Sequence, residues 1–134
     1  MFQRVMQWLE AEGQQHQSGF DDWDVRIAIA ALYYHMCAVD GLVSPDEMAR
    51  MRELLISRFG LDAAALDELV AQGQDADRGS AGLFAFAVIL NRELSRHERQ
   101  SIYEQLSQLA QSDGEIHALE QDMLEHVKGL LKLN

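Results

Sequence analysis

The sequence predicts an all-α, single-domain bundle of about seven helices built from two related helix hairpins. Three observations carry that expectation. No stretch alternates polar and apolar residues with period two, whereas apolar residues recur at helical spacing along most of the chain. Helix start and stop signals bound each of those apolar-periodic segments. Finally, a skeleton of Asp-Gly, an aliphatic residue two places on and a closing Glu occurs twice, in AVDGLVSPDE (38–47) and in QSDGEIHALE (111–120).

The segments can be justified in order. The first helix is expected from Phe2 to about Glu12, with Phe2, Val5, Met6 and Leu9 on one face and the polar GQQHQSG as its connector. A second begins at Asp21 or Asp22, runs through VRIAIAALYYHMCAV and ends at Gly41, a residue suited to a left-handed stop. Ser44-Pro45-Asp46-Glu47 opens the third, with Ser44 as cap, Pro45 at the first helical position and Glu47 completing a capping box. It lasts to Gly60. Asp62 caps a short fourth helix through about Ala71, after which QGQDADRGSAG reads as a loose divider between two halves. LFAFAVIL follows, apolar all round and so expected to be buried on every side. A second capping box, Ser95 to Glu98, opens the sixth helix, which runs to about Ser112, and the seventh spans His117 to about Leu131.

Length and charge bound the function. A chain of 134 residues can bury one core, so residues 1–134 form one domain. The net charge of −11 repels phosphate backbones and argues against nucleic acid as a partner, while suiting cations or a basic protein surface. Cys37 is the sole cysteine, which excludes an internal disulfide and a thiolate metal cluster; its apolar surroundings suggest a small core residue. The N-terminus carries acids where a signal peptide needs its cleavage region. The longest nearly apolar run, Ile27 to Val39, is interrupted by His35 and falls short of the ~20 residues of a membrane span. The expected protein is cytoplasmic and not membrane-embedded.

Aligning Asp40 with Asp113 also pairs Ile29 with Ile102, Tyr33 with Leu106, Met36 with Leu109, Cys37 with Ala110 and Val43 with Ile116. Past the turn, Met51 matches Leu124 and Leu54 matches Val127. The unit that repeats is a helix, an Asp-Gly turn and a second helix. Two such hairpins about a pseudo-twofold axis would bring their turns together. The skeleton resembles the second half of an EF-hand loop, but the first half would require oxygen ligands at Met36, Ala38, Leu109 and Gln111. Three of those four are apolar, so the EF-hand reading fails. Each hairpin is left with one Asp at the end of a helix and one Glu at the start of the next. An Asp there opposes the helix dipole, at a cost of about 0.3–1 kcal/mol, and calls for a turn amide, an arginine or a cation. Arg50 and Arg52 are close in sequence and could serve. Glu47 has a purely structural role open to it in the capping box.

Three longer stretches, AVDGLVSPDEMARMRELLISRFGL, LFAFAVILNRELSRHERQSIYEQL and AQSDGEIHALEQDMLEHVKGLL, occur in this order over about Asp24 to Leu133. In that arrangement the chain resembles the TerB-like domains named for tellurite resistance proteins. The resemblance implies a seven-helix, two-hairpin fold and an acidic cluster that holds a divalent cation, carried here by Asp40, Glu47, Asp113 and Glu120. It also implies a role in tellurite or stress resistance in bacteria. Relative to the family pattern, His117 stands where the second copy's helix cap is expected. With oxygen ligands only, Ca²⁺ or Mg²⁺ is the expected ion.

Other chemistry finds no support in the residues. No Glu is followed by a His three places later, as a di-iron bundle requires, and His-Glu-x-x-His is missing. His35 is expected on the rim of a core helix, and His97, His117 and His126 on solvated faces. There is no phosphate loop, no nucleophile elbow and no charged neighbour to activate Cys37. Tyr33, Tyr34, Phe84 and Phe86 fall at helical spacing and are expected in the core. The sequence thus points to a non-enzymatic module that binds a divalent cation and meets a protein partner; the alternative is a metal-free interaction or scaffold domain with an acidic face.

Overall fold

The computed structural model describes residues 22–39, 41, 43–79, 83–111 and 118–133. Among them are six helices and no strand: α1 (Asp22–Ala38), α2 (Pro45–Phe59), α3 (Ala63–Gly79), α4 (Leu83–Glu93), α5 (Arg96–Ala110) and α6 (Ala118–Leu130). The helix expected over residues 2–12 lies outside the described residues.

α1 is the centre of the bundle. It packs along α3 and also touches α2, α4 and α5. Seven consecutive residues, Ile27 to Tyr33, are buried, together with Met36 and Cys37. A helix surrounded on all sides needs no polar stripe, which explains its nearly continuous apolar sequence. The sequence reading gave that place to LFAFAVIL. α4 instead buries Ala85, Phe86, Ala87, Ile89 and Leu90 and turns Phe84 outward, 62% exposed. Phe84 is therefore not a core residue, whereas Tyr33 and Phe86 are fully buried.

The turn chemistry follows the sequence closely at five places. Gly41 has φ +88° and donates its N–H to the Ala38 carbonyl at 2.9 Å, closing α1 with a conformation that a Cβ would disfavour. Ser44 and Ser95 each form a complete capping box, with Glu47 and Glu98 respectively. α2 stops at Gly60, whose N–H reaches the Ile56 carbonyl at 2.7 Å. Asp62 then accepts a hydrogen bond from the Ala65 N–H at 2.8 Å, at the start of α3.

α3 departs from expectation. It continues past Ala71 to Gly79, through the stretch read as a loose divider. Tertiary packing is the reason: Leu66, Leu69, Val70, Gly73 and Ala76 are buried along one face, and Gly73 lies against α1. A Cβ built at Gly73 would stand 2.8 Å from the Ala30 Cβ and 3.1 Å from the Ala30 carbonyl carbon. The glycine permits the close crossing rather than ending the helix. Trp23 Nε1 donates to Gln72 Oε1, and His35 Nδ1 lies 2.7 Å from Asp77 Oδ1, fastening the same two helices at both ends.

The C-terminal end is pinned by donors. Arg99 donates to the carbonyls of Leu131 and Leu94, Arg96 to that of Leu133 and Asn91 to that of Leu130. Cations and amides at a helix C-terminus satisfy its open carbonyls and complement its dipole.

The repeat is visible in the packing. Ile29, Tyr33, Met36, Cys37, Met51 and Leu54 in the first copy are buried, and so are Ile102, Leu106, Leu109, Ala110, Leu124 and Val127 at the paired positions of the second. The same offset relates two buried carboxylates, Glu47 and Glu120.

Candidate functional site

Of the four acids singled out by the repeat, Asp40 and Asp113 lie outside the described residues. Glu47 and Glu120 are placed, each in the first turn of the second helix of its hairpin. Both are buried, at 8% and 3% relative exposure, which is unusual for glutamate.

Local chemistry sets Glu47. As the third helical residue of α2 it reaches back, and its Oε1 accepts the Ser44 N–H at 3.1 Å while Ser44 Oγ accepts the Glu47 N–H at 3.0 Å. The cap role read from the sequence is therefore present. It occupies one carboxylate oxygen and leaves the other to its surroundings. Glu120 has interactions of its own as well.

Cys37 connects the two. It sits near the end of α1, buried, with its Sγ 3.8 Å from the Glu47 carbonyl oxygen. Burial pushes its thiol up to about 12, and the negative charges of Glu47 and Glu120 add to the effect. Both glutamates thus act electrostatically on one buried sulfur. The end of α1 and the starts of α2 and α6 bring the two copies of the acidic position into one neighbourhood. Sequence reasoning treated Cys37 only as a small core residue. The available signal was its position, three residues before Asp40 in the sequence.

Among the described residues, the arginines that could neutralise the acids have other partners. Arg50 donates to Gln108 Oε1 at 2.9 Å and lies 3.5 Å from Glu53. Arg52 pairs with Asp67 on α3. Arg50 and Arg52 point to partners on the outer side of α2, away from the core-facing side that carries Glu47, Met51 and Leu54. Arg50 instead borders a surface cleft with Asp46, Ala49, Glu53, Gln108 and Gln111.

Three of the histidines are placed among the described residues. His35 is half-buried on the rim and tied to Asp77, while His97 and His126 are exposed; His117 lies outside the described residues. Among the described residues no group of three or more His, Cys, Asp or Glu side chains is arranged to hold a metal ion. Glu47 and Glu120 fit a hard cation in donor type, but Ca²⁺ takes six to eight oxygens. The two glutamates alone therefore do not make up a coordination shell for such an ion. Also among the described residues, no helix is long and apolar enough to cross a membrane.

Comparison with known proteins gives one result. The family described as "Tellurite resistance protein TerB" matches residues 26–134, most of the chain and every helix described above. No match is found among curated proteins or among solved structures.

Proposed function

The chain belongs to the tellurite resistance protein TerB family, and we propose that it is a non-enzymatic stress-response module that binds a divalent cation, Ca²⁺ or Mg²⁺. Glu47 and Glu120 supply two of the ligands and Asp40 and Asp113 the others. The observation that carries the reading is the pair of buried, repeat-related glutamates acting on the same Cys37 thiol. Two carboxylates held near one another in a low-dielectric setting repel, and a cation between the hairpins relieves that cost. The ion would then fix the pose of one hairpin against the other, and the domain would act in the cytoplasm by presenting a surface to a protein partner.

A second reading rests on the capping box. Because Glu47 already serves Ser44, the glutamates can be structural, and the domain a metal-free scaffold whose acidic face meets a basic protein.

Calorimetric titration of Ca²⁺ and of Mg²⁺ separates the two. The cation reading expects saturable heat and a raised Tm for the native chain, both lost in Glu120→Gln and in Asp40→Asn/Asp113→Asn. At a free ion concentration of 100 times Kd, linkage gives a stabilisation of about 2.7 kcal/mol. Neither heat nor a Tm shift in the native chain would discard the cation and leave the scaffold.

A further inference from the structure

A second cleft, of about 280 Å³, lies between α1, the end of α2 and the start of α5. Two arginines border it, Arg26 from α1 and Arg58 from α2, with Val25, Ile29, Phe59 and Leu94 as apolar wall. In a chain with 22 acids and 11 lysines and arginines, most guanidinium groups are expected to be committed. Elsewhere among the described residues they are: Arg50, Arg52, Arg78 and Arg92 stand in ion pairs, and Arg96 and Arg99 donate to C-terminal carbonyls.

The two cleft arginines differ. Neither makes an ion pair among the described residues. Arg26 Cζ lies over the Phe59 ring, 4.8 Å from its centroid, and its N–H groups have no hydrogen-bond partner among the described residues. Arg58 is held by neutral partners, its Nε on Gln105 Oε1 at 2.9 Å and one Nη on Ser101 Oγ at 2.7 Å. Those bonds fix its orientation without cancelling its charge. The same Gln105 oxygen accepts the hydroxyl of the buried Tyr33, so the bracket is anchored in the core.

Two acids also face the cleft, and they narrow what it can hold. Glu98 is engaged by the Ser95 cap, its Oε1 2.9 Å from the Ser95 nitrogen. Asp22 is exposed at the start of α1. Two guanidinium groups faced by two rim carboxylates, one of them Glu98 in the field of Arg58, leave no net positive charge, which disfavours a dianion and leaves the paired N–H donors as the feature a single carboxylate can use. The apolar wall favours a ligand whose charge sits on a hydrophobic body.

We propose that this cleft binds a small monocarboxylate with an apolar body, its carboxylate held by Arg26 and Arg58 and its body against Phe59, Val25 and Leu94. The site is separate from the acidic turns and does not depend on the cation reading. Benzoate is a suitable probe, with benzamide as its neutral isostere, inorganic phosphate as a more highly charged anion and sodium chloride as an ionic-strength control.

In ¹H–¹⁵N spectra of the full chain, the Nε–H signals of Arg26 and Arg58 are expected to shift saturably with benzoate. They should respond at least about tenfold more weakly to benzamide and to phosphate, and Arg26→Gln should weaken benzoate binding by a similar factor. Arg26 is the variant of choice because among the described residues it makes no hydrogen bond or ion pair, whereas Arg58→Gln also breaks the bracket to α5. Absent or non-saturating shifts, equal responses to benzamide, or an unaltered titration in folded Arg26→Gln would each overturn the proposal.

Discussion

At the scale of single residues, Glu47 carries two roles that mutation can separate. In Ser44→Ala the hydroxyl that caps α2 is lost, but the backbone N–H that binds Glu47 Oε1 remains. The expected cost is about 1 kcal/mol, measured by chemical denaturation, with cation binding retained; loss of binding in this variant would mean that the cap itself organises the site. Cys37 offers a pH-dependent readout. Its folded thiol is raised from 9.0 to about 12, and the buried Tyr33 hydroxyl from 10.0 to about 12, in both cases mainly by burial. In each case the unfolded chain loses its proton first, so the folded state binds more protons across that interval. Their contribution is complete below pH 9 and is lost as pH rises toward 12. The Tm should fall from pH 9 upward, and Cys37→Ala should flatten the first part of that fall. A Tm profile identical in the two proteins would contradict the burial that raises the Cys37 thiol. The correspondence of Glu47 and Glu120 was legible in the sequence, because duplication marks it. Their common neighbour was not, because a lone cysteine in an apolar run carries no signal until the helices that surround it are placed.

At the scale of elements, caps and stops could be read directly, whereas crossings could not. Ser44, Ser95, Gly41 and Gly60 act through bonds within a few residues, so local sequence suffices to place α1, α2 and the start of α5. α3 shows the opposite case. Gly73, Asp75 and Asp77 are poor helix formers, and a local reading ends the helix before them; the contact with Ala30 that holds this segment helical is more than forty residues away. α4 failed for a related reason, since an apolar octet does not say how many of its sides a bundle will cover. The crossing makes a sharp prediction. Gly73→Ala should gain up to about 1 kcal/mol of helix propensity, yet the new methyl group would meet Ala30 Cβ at 2.8 Å and backbone at 3.1 Å, atoms with little room to move. Overpacking of this kind costs about 1–3 kcal/mol, so the variant should be less stable by denaturant unfolding. An increase in stability would show that α1 and α3 cross more loosely than described.

At the scale of the whole molecule, duplication organises the core. The paired positions are buried in both copies, and the two hairpins share α1 as neighbour through α2 and α5. That arrangement lets the charges of Glu47 and Glu120 both bear on one thiol although they stand far apart in the chain. It also distinguishes this acidic chain from one whose charge merely aids solubility, since both of these carboxylates are buried. The central claim is that the two hairpin turns hold one cation in common. Mn²⁺, a paramagnetic hard ion that accepts oxygen ligands, tests it most directly in ¹H–¹⁵N spectra. Substoichiometric Mn²⁺ should broaden the amide signals of both Glu47 and Glu120, sparing those of α3, with recovery on adding excess Ca²⁺ or Mg²⁺. Broadening confined to one of the two glutamates, or spread evenly over the acidic surface, would contradict it.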